Sequence, residues 1–97
     1  MTYFVEGITE KAEPQMQVRR IGEYETVAAA IEMAERTVDA FLQRELKPGM
    51  DGKTLLALYH AQAEHPFIFR DDSSTFNVPG FNHIRYAMAR VREMCGE

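Results

Sequence analysis

The stretch TVAAAIEMAERTVDAFLQREL, residues 26–46, limits the fold more than any other part of the chain. Val27, Ile31, Ala34, Val38, Phe41, Leu42 and Leu46 recur at the three- and four-residue spacing of one helical face. Glu32, Glu35, Arg36, Asp39 and Gln43 fill the opposite face. Thr26 is placed to cap the amino end by accepting a backbone N–H bond, and Lys47, Pro48 and Gly49 supply stop signals. A helix with so long an apolar stripe must bury it, so the remaining segments are read for the layer that receives it.

Upstream lie YFVEGI (3–8) and MQVRRIGEY (16–24), separated by the polar, proline-bearing EKAEPQ (10–15). This reads as strand, loop, strand, an antiparallel hairpin. The apolar step from Val18 to Ile21 breaks strict alternation and Gly22 follows at once, which predicts a bulge or a strand end there.

Downstream, Asp51 is an N-cap candidate for a second helix through GKTLLALYHAQAE, with Leu55, Leu58, Tyr59 and Gln62 at helical spacing. A strand through LLALY competes, because five consecutive apolar residues satisfy either period. Pro66 ends that element. FIFR (67–70) then reads as a strand, DDSS (71–74) as a turn and TFNV (75–78) as a returning strand, with Val78 held extended by Pro79. In NHIRYAMARVREMC (82–95), Ile84, Met88, Val91 and Cys95 form the expected core stripe of a last helix, capped by Asn82 and stopped at Gly96.

The order is β-β-α-α-β-β-α. It predicts one small α+β domain over residues 1–97, an antiparallel sheet with the helices packed on one face. A chain of this length can bury roughly 65% of its unfolded surface, enough for one core without staples. Such a sheet leaves edges or an open face. YFVEGI carries neither proline nor inward charge to protect it, so a homodimer is expected to cover it.

Charge narrows the partners. The net charge is −4, with five acids against three bases in residues 1–25, six against four in 26–64 and four against four in 65–97. No basic tail is available to track a phosphate backbone. The longest apolar runs, VAAAI and LLALY, are five residues each, far short of a bilayer span, and MTYFVEGITE lacks the basic and apolar regions of a secretory leader. A cytoplasmic location is expected. Cys95 is the single cysteine, so no intrachain disulfide can form.

The motifs that could carry chemistry have plain structural readings. PGMDGKT (48–54) resembles a phosphate loop only superficially: Lys47 stands where that motif needs its first glycine, and a helix enters where a strand should. His60 and His65 are five apart, not the four that one helical face requires, and His83 joins them only through folding. Cys95 reads as a packed thiol, Ser73 and Ser74 as turn residues, and Asp71 and Asp72 as solvated turn acids. Neither a metal nor a cofactor is expected. Six arginines (19, 20, 70, 85, 90 and 92) accompany Tyr3, Phe67, Phe69, Phe76 and Tyr86, and a sheet face bearing both could stack bases.

One segment exceeds what hairpin, turn and cap require. Around the Pro79–Gly80 loop, Asn77, Asn82, His83, Arg85 and Tyr86 crowd together, with Arg70 at the preceding strand end. A polar–aromatic rim at a helix amino end can hold a small anion or a peptide. On the last helix, His83, Tyr86 and Arg90 are expected to share an exposed side.

The sequence thus reads as a small cytoplasmic protein, bacterial in style, acting as a non-catalytic binding or interaction module and forming a homodimer. The first alternative is a ligand-binding protein or enzyme using the 77–86 rim. The second is a single-stranded nucleic-acid binder.

Overall fold

The computed structural model describes residues 2–9, 17–70 and 81–96. Along the chain run β1 (Tyr3–Thr9), β2 (Gln17–Tyr24), α1 (Val27–Glu45), α2 (Gly52–Gln62), β3 (His65–Arg70) and α3 (His83–Cys95). The strands form an antiparallel sheet in the order β2-β1-β3. The expected return strand over 75–78 lies outside the described residues, as do Asp71, Asp72, Ser73 and Ser74.

The bulge falls where the broken alternation puts it. Val5 pairs with Gly22 but Glu6 pairs with Arg20, which leaves Ile21 as the extra residue. The slip lets Ile21 and Tyr24 turn toward the core while Val18 and Arg20 keep the outer face. Without it, one of the two apolar groups would lie on the wrong side.

The expected amino-terminal caps of α1 and α2 form. The Thr26 hydroxyl accepts from the Ala29 amide at 3.1 Å, and the Asp51 carboxylate accepts from the Thr54 amide at 2.8 Å. The ambiguity over LLALY resolves as helix, because Leu55 and Tyr59, four apart, are both fully buried while Ala57 between them is exposed.

The stripe of α1 serves two cores. Its first half, with Ala30 and Ala34, lies on Val5, Ile68 and Phe81, and the small side chains let the helix approach the sheet closely. Its second half, with Val38, Phe41 and Leu42, packs into α2 and α3 through Leu55, Tyr59, Ala87 and Val91. One helix therefore joins a helix-on-sheet layer to a three-helix cluster.

Two expectations are corrected. β1 is the central strand, hydrogen-bonded on both sides, so its edges offer nothing for a partner to cover. And α3 is rotated from the expected stripe: His83, Ala87 and Val91 are buried, whereas Ile84 and Met88 are 40% and 49% exposed. Ala87 is small enough to let α3 settle against α1 and α2. A polar partner inside the protein accepts His83, so the core-facing side centres on these two and not on the bulkier Ile84 and Met88.

Candidate functional site

All three histidines gather where α2 ends, β3 begins and α3 starts, and Tyr59 is their common contact. The Tyr59 Oη lies 2.9 Å from Nδ1 of His83, and Nε2 of His65 lies 3.0 Å from the Tyr59 carbonyl. The His65 and His83 rings stack at 4.6 Å with 19° between their planes, and Phe67 meets His83 edge-on at 5.0 Å. His60, exposed, stands edge-on to Tyr59 at 6.0 Å. Local geometry explains the gathering. Ala63 caps α2 with its amide on the Tyr59 carbonyl, and two residues later the chain has entered β3, so His65 folds back over the last helical turn.

Protonation follows from burial. Desolvation, helped by the nearby His65 and His60, lowers the pKa of His83 to about 4, and burial pushes the Tyr59 phenol up. At neutral pH both groups are uncharged, and the 2.9 Å contact between Tyr59 Oη and His83 Nδ1 is a hydrogen bond whose donor is set by the His83 tautomer. The His65 Nε2–H donates to the Tyr59 carbonyl. In this state His83 Nδ1 is engaged by Tyr59, and Tyr59 resists ionisation. Neither group is poised as a general base. The stacked rings lie in nearly parallel planes and do not converge on one point. Among the described residues no three His, Cys, Asp or Glu side chains are arranged to hold a metal ion. Chemically the cluster is a fastening of α2, β3 and α3.

The rim expected from sequence is divided by the fold. His83 is buried at 7% exposure and points to Tyr59. Asn82 caps α3, its side-chain oxygen accepting from the Arg85 amide at 3.0 Å, and Arg85 itself is exposed. Tyr86 turns to the opposite flank, where its hydroxyl donates to both oxygens of Asp39 at 3.0 Å and Arg90 Nε donates to the same carboxylate at 2.9 Å. Arg70 ends β3 opposite Tyr3, half-buried. Asn77 lies outside the described residues. His83, Tyr86 and Arg90 thus share no exposed side. The i, i+3 and i+7 spacing is right, but it spans two flanks of α3, one facing Tyr59 and one facing α1.

Asp39, on the polar face of α1, receives two α3 donors. Burial, helped by the Asp39 carboxylate, raises the Tyr86 phenol to about 12. The partner lies 47 residues away, and the only sequence hint was the pair of donors four apart, Tyr86 and Arg90, on a helix otherwise supplied with surplus arginines.

The outer face of the sheet is the other feature with functional content. β1 presents Phe4, Glu6 and Ile8 there, paired across strands with Phe69, Phe67 and His65 on one side and with Glu23, Arg20 and Val18 on the other. The Arg20 guanidinium lies 4.1 Å over the Phe4 ring, and the same side chain reaches Glu6 at 3.6 Å and Glu23 at 3.2 Å. Helix α1 covers the opposite face, that of Val5 and Ile68. Among the described residues the last turn of α2 and the first turn of α3 reach this face at one end, at His65 and Phe67.

Comparison with known proteins yields no match: no family model, curated protein or solved structure is similar to the chain.

Proposed function

We propose that the protein is a non-catalytic interaction module of the cytoplasm that docks through the outer face of its sheet, and that the partner is a second copy of the chain. The carrying observation is a pair of apolar cross-strand contacts on that face, Phe4 with Phe69 and Ile8 with Val18, the last 57% exposed. A solvated sheet face ordinarily alternates to polar residues. Glu6, Arg20 and Glu23 beside these pairs give both signs of charge, so the surface is complementary to itself across a two-fold axis. No helix of the described residues is long and apolar enough to cross a membrane.

Phe4→Glu tests this reading. The substitution places a carboxylate on the outer face and leaves the α1 face untouched, whereas Tyr3 points to the core and is unsuitable. Native mass spectrometry and sedimentation should show a wild-type dimer and a monomeric variant of unchanged helix content. A wild-type monomer at about 100 μM, a concentration at which even weak dimers of micromolar Kd form, would end the dimer proposal.

The aromatic pair also suits base stacking, the single-strand reading. Arg20 on that face is already neutralised by Glu6 and Glu23, which leaves no surplus positive charge to hold a phosphate backbone.

A further inference from the structure

On the opposite side of the sheet, between β2 and α1, runs a cleft of about 390 Å³. Met33 and Phe41 of α1 form its apolar lining, and Arg19, Arg36, Arg44 and Glu64 supply its charges. Its lining carries three guanidiniums against one carboxylate, with Glu32 and Glu45 pairing with Arg36 and Arg44 just outside it. The volume falls in the range of small-molecule clefts, roughly 300–1,000 Å³.

The arginines are held in different ways. Arg19 is fixed by a two-pronged bond to Glu64, Nε to Oε2 at 3.0 Å and Nη2 to Oε1 at 2.7 Å. That arrangement needs Gly7, since a Cβ there would run into the Glu64 side chain lying across it. Arg44 sits over the Phe41 ring at 5.3 Å and its Nε lies 3.5 Å from Glu45, a long pair exposed on the arginine side, so a flat apolar body resting on that part of the lining has a weakly held guanidinium beside it. Arg36 pairs with Glu32 at 2.7 Å, one turn back on α1. The Arg36–Glu32 pair joins two exposed side chains, a weak kind of contact that a ligand anion can displace.

We infer that this cleft binds a small anionic amphiphile, an aromatic or similarly flat apolar molecule bearing a carboxylate, with the apolar body on Met33 and Phe41 and the carboxylate among the guanidiniums of Arg19, Arg36 and Arg44. Guanidinium forks match carboxylate geometry, and the apolar lining supplies the remaining contact. The site is separate from the outer-face docking surface: Arg19 and Arg20 are neighbours in β2 and point to opposite sides of the sheet.

The probe is naphthalene carboxylate, compared with naphthalene methanol, which keeps the ring and removes the charge. Titrations followed by amide chemical shifts should show one saturable site for the carboxylate, with the largest changes over residues 33–44 and at Arg19. The alcohol should bind at least about tenfold more weakly, the loss expected for a charge-assisted contact. Arg36→Gln and Arg44→Gln, both exposed helix positions, should each weaken the carboxylate severalfold without changing the melting temperature, while Phe4→Glu should leave it unchanged. The inference is overturned by absence of saturation up to about 10 mM, weaker than any specific site of this size. It is equally overturned by equal affinity for acid and alcohol, by insensitivity to both arginine changes, or by shifts that map elsewhere.

Discussion

The Tyr59 hydroxyl and Nδ1 of His83 share a hydrogen bond of 2.9 Å, which joins the last turn of α2 to the first turn of α3 inside the core. Burial holds the imidazole there in its neutral form. The contact is therefore a statement about pH as well as about packing.

His83 binds its proton more weakly in the folded protein, at about 4, than at its ordinary 6.5. Between those values the unfolded chain carries a proton that the folded one lacks. The stabilising effect is complete above about pH 6.5 and declines as the pH falls toward 4, at no more than about 1.4 kcal/mol per pH unit for one proton. Urea midpoints taken from neutral pH to pH 4.5 should fall for the wild type. In His83→Phe, which keeps a ring in the site but cannot titrate, the starting stability should be lower and the slope across that window shallower. An equally steep slope in the variant would assign the pH dependence to other groups.

Asp39→Ala removes the acceptor for two α3 donors at once, the Tyr86 hydroxyl and Arg90 Nε. Hydrogen bonds to a charged group contribute about 1.5–3 kcal/mol when buried. Asp39 and Arg90 are each about a quarter exposed, which reduces that toward about 1–2 kcal/mol by solvent screening. Tyr86→Phe should cost less, and the double variant should be less destabilised than the sum of the singles. Strict additivity in denaturant unfolding would mean that Tyr86 and Asp39 do not act together. In the wild type, spectrophotometric titration should find one phenol ionising near 12, and in Asp39→Ala that value should drop.

Gly7→Ala is a test of what a glycine in a central strand is for. The nearest atoms to the new Cβ are Cγ, Cδ and Oε2 of the flexible Glu64 side chain, which can swing away. The cost is then the Arg19–Glu64 pair, exposed on the arginine side and worth at most about 1 kcal/mol. Replacing glycine within a strand returns about 0.5–1 kcal/mol of backbone entropy. The two nearly cancel, so stability should change by less than about 1 kcal/mol, while Arg19 loses its fixed orientation. A large loss of stability would show that the backbone itself cannot accept a Cβ at this position.

Local signals in the sequence placed most of the elements, though LLALY fitted strand and helix alike. The spacing of Val27 to Leu46, the caps Thr26, Asp51 and Asn82, and the misstep from Val18 to Ile21 each have a local physical cause within a few residues. Caps, the bulge and the α1 stripe are therefore legible without a fold. Relationships between distant segments came from packing. It made β1 central, which removed its edges, though not the open face, as a surface for a partner. It turned α3 so that His83 and Ala87 face inward and Ile84 and Met88 outward, because the choice between two overlapping helical faces depends on what stands opposite. It split the expected rim, sending His83 to Tyr59 and Tyr86 to Asp39, and it set Arg19 beside Glu64 across 45 residues. Periodicity tells a side chain which way to point from its own axis. Only the packing of one axis against another fixes what it meets there.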